Sequence, residues 1–510
     1  MSDQPTPDRW ANDALGRKDL ANFLSASLVE ETRVVAKARE SGLTVALDAD
    51  WGAGKTFFIR KWADDLRELG HPVVYFDAWE NDIGDEASVA LMASIRSVLA
   101  EWTEKLPRSK SIRAKAATAA DGAIRGLRRA MVPATKVVAT GLVKKFTGIA
   151  VEELLAASED SGELLDDAAK ATSASLEKGL DELFKRTLEE HQKRGAAIAT
   201  FKQCIGETIA LLTENLDAKT PVFVFIDEVD RCRPPYAIKL LEEVKHIFGM
   251  PNLCFIVSTN IPQLQEAVRA VYGAGFDGHR YLKRFFDRQY ALPAPNNENF
   301  AAQLLADPSP LTSRRIDTGL PSAGKSTIKD AVALLATALN LDLRSQKQVL
   351  SIASAAAAAI PAKNRVFVLW LYFLSALQHK RPQLIERLHR GVDHKGFSEI
   401  CNEVMRIDSI IEYRQDHDPF DRPSQSKQTK LSEVLWGYYK WSGDDLLKLR
   451  EAGNKTNIYD YPASNLHSIL EEAPNPYNPG AKYPPSIRTY IDLVQYAGMS
   501  ESGNDPAEAS

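Results

Sequence analysis

The chain has 510 residues, 44% of them hydrophobic, which is enough for more than one buried core and too apolar for disorder throughout. Its 63 Lys+Arg against 68 Asp+Glu give a net charge of −5, so no global positive field draws it to nucleic acid or anionic lipid; such binding needs a local patch. Cys204, Cys232, Cys254 and Cys401 form no CxxC pair and no zinc-finger spacing with the histidines, so neither a disulfide framework nor a structural zinc is expected, and the cytoplasm is the expected compartment.

The first residues carry no basic stretch followed by an apolar one, so no secretory signal is expected. Residues 8 to 40 place Leu20, Phe23, Leu24 and Leu28 at helical spacing, predicting one or two helices. Short buried-type strands follow at 43–47, 71–76, 221–226, 253–257 and 288–292, separated by helical sequence. Five such strands alternating with helices predict an α/β fold with a mainly parallel five-stranded sheet covered on both faces.

Residues 1–100 and 200–295 form the expected core, and 101–199 a helical insertion. The insertion is polarised: Lys105 to Lys145 holds 11 Lys/Arg and a single acid, Asp121, whereas Glu152 to Glu182 holds 10 acids and two lysines, Lys170 and Lys178. Two readings stay open, an antiparallel helical hairpin whose charges pair and a basic surface for nucleic acid or anionic lipid. Residues 296–412 are expected to form a helical lid and 413–510 a C-terminal helical region with a frayed tail from Glu501. Arg414 to Lys430 reads as a loop. Within the lid, Val366 to Leu377 is apolar over 12 residues, too short for the roughly 20 that a membrane helix needs, and reads as a buried core helix.

Chemistry concentrates after the first strand. Gly52, Ala53, Gly54, Lys55 and Thr56 lie between a strand and a helix, the context in which backbone N–H groups wrap phosphates, a lysine reaches the β and γ oxygens, and a threonine hydroxyl meets Mg²⁺. Ala49 stands where the usual pattern has its first glycine. Gly319 to Ser326 fits GxxxxGK[ST] without a mismatch, but the residues before it are too polar for a buried strand, so it reads as a loop in which Ser322 or Ser326 caps the next helix.

The complementary half of a nucleotide site is a hydrophobic strand ending in acid. The run from Val222 to Ile226 followed by Asp227 and Glu228 fits, with Asp227 as the Mg²⁺ residue and Glu228 polarising the attacking water. Asp230 and Arg231 read equally as a local ion pair or as part of the machinery. Asn260, after the fourth strand, reads as a helix cap or as a γ-phosphate sensor.

Together these residues resemble the KAP family of P-loop NTPases, in the ASCE division, over about residues 8 to 295. The resemblance rests on Asp13 to Arg17, Trp51 to Thr56, Phe76 to Trp79, Ile226 to Cys232, and Tyr281 to Arg284 before Leu292 and Pro293. It implies ATP hydrolysis with Mg²⁺, nucleotide contacts along Trp51 to Phe57, and a long helical insertion that in many members spans a membrane. Here the most apolar part of that insertion, Val132 to Val143, is short and holds Lys136, so membrane insertion is not expected. The resemblance further implies an arginine finger at Lys283, Arg284 or Arg288, with Arg284 preferred, a lid arginine at Arg365, and a part in anti-phage defence.

The leading expectation is an ATP-driven conformational switch acting on a partner protein or on further copies of itself. A nucleic-acid-stimulated ATPase and a nucleotide-binding scaffold without hydrolysis are the alternatives.

Overall fold

The structure, a computed structural model, describes residues 9–11, 13–83, 87–107, 196, 198–246, 249–313, 316–318, 320, 326–361, 365–414, 426–442 and 489–499. The chain falls into two compact units, Lys18–Ala49 with Lys55–Leu292, and Met1–Arg17 with Asp50–Gly54 and Pro293–Ser510.

The first unit is built on a five-stranded parallel sheet: β1 (Leu43–Asp48), β2 (Val73–Asp77), β3 (Val222–Asp227), β4 (Leu253–Thr259) and β5 (Arg288–Ala291), in the order β2-β3-β4-β1-β5. Its helices are α1 (Lys18–Arg39), α2 (Lys55–Glu68), α3 (Ala87–Glu104), α4 (residues 198–216), α5 (Pro234–His246), α6 (Ile261–Tyr272) and the short α7 (Gly278–Leu282). β3 and β4 are buried at every position, which is why their sequences run apolar without alternation: helices cover both faces. β5 differs from the buried strand expected there. It pairs with β1 alone, and its exposed Arg288 and Gln289 mark it as a sheet edge.

Packing joins helices to strands through large side chains. Phe58 and Phe225 are fully buried, each contributing about 1.5–3 kcal/mol relative to exposure. Trp62 meets the Phe225 ring edge-on at 5.1 Å and donates its indole N–H to Ser25 Oγ at 2.8 Å, tying α1, α2 and β3 together. Leu91 and Ile95 of α3 enter the same core as Phe201 and Ile205 of α4, so the two helices that flank the expected insertion both fold onto the sheet. Residues 108–195, which hold most of the basic half of the insertion, its acidic half and Val132 to Val143, lie outside the described residues.

The second unit is mainly helical: α8 (Asn297–Leu304), α9 (Ile328–Ala338), α10 (Leu343–Ala359), α11 (Val368–Lys380), α12 (Pro382–Arg390), α13 (His394–Val404), α14 (Leu431–Ser442) and α15 (Thr489–Met499). Helix α11 is its centre, buried at every residue from Val368 to Leu377. The expected helix from Val366 starts two residues late, because Val366 and Phe367 form a strand, β7, that pairs with β6 (Ile316–Asp317). Likewise Ser426–Lys430, within the expected loop, is a strand, β9, antiparallel to β8 (Ile410–Arg414).

The expected division at 412/413 falls inside a single core. Leu431, Val434, Leu435 and Tyr438 line one face of α14 and bury with Tyr490, Ile491 and Val494 of α15 against the α11 cluster. The helix after the second GxxxxGK match, α9, is capped by Thr327 rather than by Ser322 or Ser326. Thr327 Oγ1 accepts from Asp330 N at 3.4 Å while Asp330 accepts from Thr327 N at 2.7 Å, a capping box, and the Ser326 hydroxyl meets that of Thr318 at 2.6 Å. Ser322 and Lys325 lie outside the described residues, as does the tail from Glu501. Among the described residues no helix is long and apolar enough to cross a membrane, and no group of three or more His, Cys, Asp or Glu forms a metal cluster.

Candidate functional site

All five strands run in parallel, so their carboxyl ends share one rim, the place where open α/β sheets present polar groups to a ligand. At that rim β1 passes into the loop 49–54, and α2 begins at Lys55. Lys55 is only 9% exposed. Its Nζ donates to the carbonyl of Ala49 at 2.6 Å and lies 3.8 Å from Asp230 Oδ2. The neighbouring Thr56 hydroxyl donates to Glu228 Oε1 at 3.2 Å, joining positions 172 residues apart.

Asp227 ends β3 fully buried. Its carboxylate accepts from the Tyr75 hydroxyl at 2.9 Å and from the Glu228 N–H at 3.0 Å. Burial, reinforced by the Asp227 charge, pushes the Tyr75 phenol up, so it stays protonated and donates. Glu228 has a left-handed backbone, φ 60°, which turns the chain out of the strand into the 3₁₀ turn Val229–Arg231. Burial, and next the charge of Asp227, raise the Glu228 carboxyl to about 7, while Arg231 opposes the rise.

Asp230 and Arg231 do not pair with each other as one reading of the sequence has it. Asp230 faces Lys55, and Arg231 Nε lies 2.5 Å from Glu228 Oε2. Asn260 caps α6: its Oδ1 accepts from Gln263 N at 3.0 Å, so the capping reading describes what its oxygen does. Arg284 lies exposed with Lys283 after α7, and Arg288 pairs with Glu31 at 3.2 Å. Phe57 is 37% exposed, with Lys61 Nζ 5.6 Å from its ring centre.

The residues from Asp50 to Gly54 group with the helical unit. Gly52 and Gly54 both have positive φ, 71° and 81°, and a Cβ on Gly52 would fall 2.2 Å from Asp342 Oδ1. The Gly52 carbonyl accepts from Leu343 N at 3.1 Å, and Trp51 is half exposed. Arg17, quoted in the sequence only as part of a pattern, is buried here. Its guanidinium donates to the carbonyls of Ala53 at 2.8 Å and Pro293 at 2.9 Å, and burial pulls its pKa down to about 10 against the opposing charge of Asp13. Asp13 in turn accepts from Leu15 N and Arg17 N at 3.1 and 2.5 Å. Arg365, in the same unit, lies 3.9 Å from Asp317.

Sequence reasoning missed Arg17 and Tyr75 because each acts through a contact far along the chain. The one available signal for Tyr75 was its place two residues before Asp77, on a strand whose end is level with Asp227.

The model of the KAP family P-loop domain matches residues 18–354, about two thirds of the chain. The chain belongs to the KAP family of P-loop NTPases. No curated protein matches it. Among solved structures, the ORC2 protein of Aeropyrum pernix, in ADPNP and ADP complexes, is 10% identical over 95% of this chain and 95% of that chain, with a TM-score of 0.30. For this KAP chain the family supplies the setting, nucleotide binding on a parallel sheet; the roles of individual residues rest on the geometry above.

Proposed function

We propose that this KAP chain binds ATP with Mg²⁺ and hydrolyses it, and that turnover drives a conformational change passed to a partner protein or to a second copy. One observation carries the reading: Lys55 and Thr56, at the start of α2, face Asp230 and Glu228, just past β3. Lys55 would leave Ala49 O for the β and γ oxygens of the nucleotide, with backbone N–H groups of the loop before it along the same phosphates. The Thr56 hydroxyl and Asp227 carboxylate are an all-oxygen donor set that suits a hard divalent ion, which when bound would offset phosphate charge. Glu228 would take the proton of the attacking water, and a carboxyl raised to about 7 is a base near its working pH.

Asn260 would offer its amide N–H₂ to the γ-phosphate while its oxygen holds α6. Exposed Arg284 would complete a neighbouring copy's site, and Arg365 would approach the phosphates from the lid. The scattered, unpaired cysteines suit a cytoplasmic place, and the family resemblance implies a part in anti-phage defence.

The test is magnesium-dependent phosphate release by the whole chain, with ATP and GTP compared. Turnover lost in Lys55→Ala is expected; wild-type chain that binds ATP without releasing phosphate would leave the scaffold reading in its place. Mixing Arg284→Ala with Lys55→Ala should restore part of the activity if the arginine acts between copies, since one interface then holds an intact lysine and an intact arginine. Absence of recovery at concentrations where the wild type assembles removes that role.

A further inference from the structure

The turn after β2 belongs to none of the roles above, although Phe76 to Trp79 is one of the patterns that carry the resemblance to the KAP family. Trp79 is 54% exposed, so the ring is not there to fill a core. Its backbone is fixed: Asp77 Oδ1 accepts from Trp79 N at 3.0 Å and Glu80 N at 3.1 Å, and Ala78 N donates to the carbonyl of Asp227 at 3.0 Å. The turn is therefore built against the end of β3. What the Trp79 ring meets is Arg231, whose guanidinium carbon lies 5.8 Å from the ring centre. The same guanidinium holds Glu228 at 2.5 Å.

Glu228 needs such a partner. Buried Asp227 and the buried side chain of Asp230 crowd it with negative charge, and Lys55 is drawn toward Asp230. Among the described residues the Thr56 hydroxyl is the other side-chain group on the Glu228 carboxylate, and it would turn away on meeting a metal ion. Arg231 then still fixes the direction of the carboxylate and offsets the repulsion. Its side chain is 38% exposed, so the pair adds little to global stability, and removing it should leave a folded chain.

We infer that Arg231 is a positioning residue for Glu228, and that the turn carrying Asp77 and Trp79 holds the Arg231 guanidinium in place. The inference rests on the reading of Glu228 as the base. A misplaced base costs rate rather than affinity, because nucleotide binding does not use it.

The test measures turnover number, KM, nucleotide affinity with Mg²⁺ and melting temperature for Arg231→Met, Arg231→Lys, Trp79→Ala and Glu228→Gln in the full chain. Arg231→Met should lower the turnover number about 10- to 100-fold with affinity within about twofold of wild type, and Arg231→Lys should recover part of the loss. Trp79→Ala should lower it several-fold, in the same direction. Added to Glu228→Gln, Arg231→Met should cost nothing further, because both act through one group. Unchanged or faster turnover in Arg231→Met, an equal loss of affinity, or full additivity with Glu228→Gln overturns the positioning role while leaving the base in place. Undiminished turnover in Glu228→Gln removes the base itself, and the inference with it.

Discussion

Two loops of this chain carry glycine, lysine and a hydroxyl residue in a row, Gly54-Lys55-Thr56 and Gly324-Lys325-Ser326, and the second matches the textual pattern more fully. In the first, a six-residue strand feeds the loop and the helix begins at the lysine itself, so the N–H groups of its first turn and the positive end of its dipole are turned toward the loop. Around the second, the strand before it has two residues, and the helix begins only at Ile328, three residues past the lysine. There the N–H groups of Thr327 and Asp330 are met by each other's side chains. What separates the two glycine-lysine loops is the strand and helix on either side and the acidic strand end beside the first, more than the letters.

The strongest break of that comparison removes the acidic partner and leaves the loop intact. Glu228→Gln should keep ATP binding and lower the turnover number about 10²–10⁴-fold, the usual cost of losing a positioned base. Single-turnover phosphate release is the measurement. An unchanged rate would move the base elsewhere, Asp230 being the nearest candidate.

Removing the cation sharpens the comparison. If Lys55 meets the phosphates, Lys55→Ala deletes charge-assisted contacts worth about 1.5–3 kcal/mol, or about 10- to 150-fold in affinity. Lys325→Ala should leave affinity for ATP as in wild type. Titration with a fluorescent nucleotide separates the two, and reversed results would assign the site to the other loop.

The sheet was legible because its strands are continuous buried runs: each expected strand is found within two residues of its place, and Val222 to Ile226 needed no tertiary information. The grouping of the candidate site was legible where its residues sit beside a strand end, as at Lys55, Asp227 and Glu228. It was opaque where a residue works through a distant partner. Arg17 reaches Ala53 and Pro293, and Tyr75 reaches Asp227, and no local period encodes either contact. The pairing of Arg231 with Glu228 rather than Asp230 goes with a left-handed backbone at Glu228, a conformation that a non-glycine residue adopts rarely and that its sequence neighbours do not announce. In the helical unit the missed strands are short, and β6 and β7 hold two residues each, below the length at which alternation can be read.

The smallest expected effect tests what the second loop is for. If Thr327 only starts α9, Thr327→Ala loses the hydroxyl that accepts from Asp330 N and donates to the Asp330 carboxylate, while the backbone N–H of residue 327 keeps its carboxylate partner, at about 1 kcal/mol. Spread over the unfolding entropy of a 510-residue chain, that lowers the melting temperature by about 1 °C. Thr327→Ser and Thr327→Asp, which can accept the same bond, should stay close to wild type, and Asp330→Ala should show a loss of similar size, because it removes the other half of the box. None of the four should alter nucleotide affinity or turnover, since each changes only the capping box at the start of α9. A Thr327→Ala chain that melts like wild type but binds ATP more weakly would mean that the second loop takes part in nucleotide binding after all, and the contrast between the two loops would fail at the point where it is most specific.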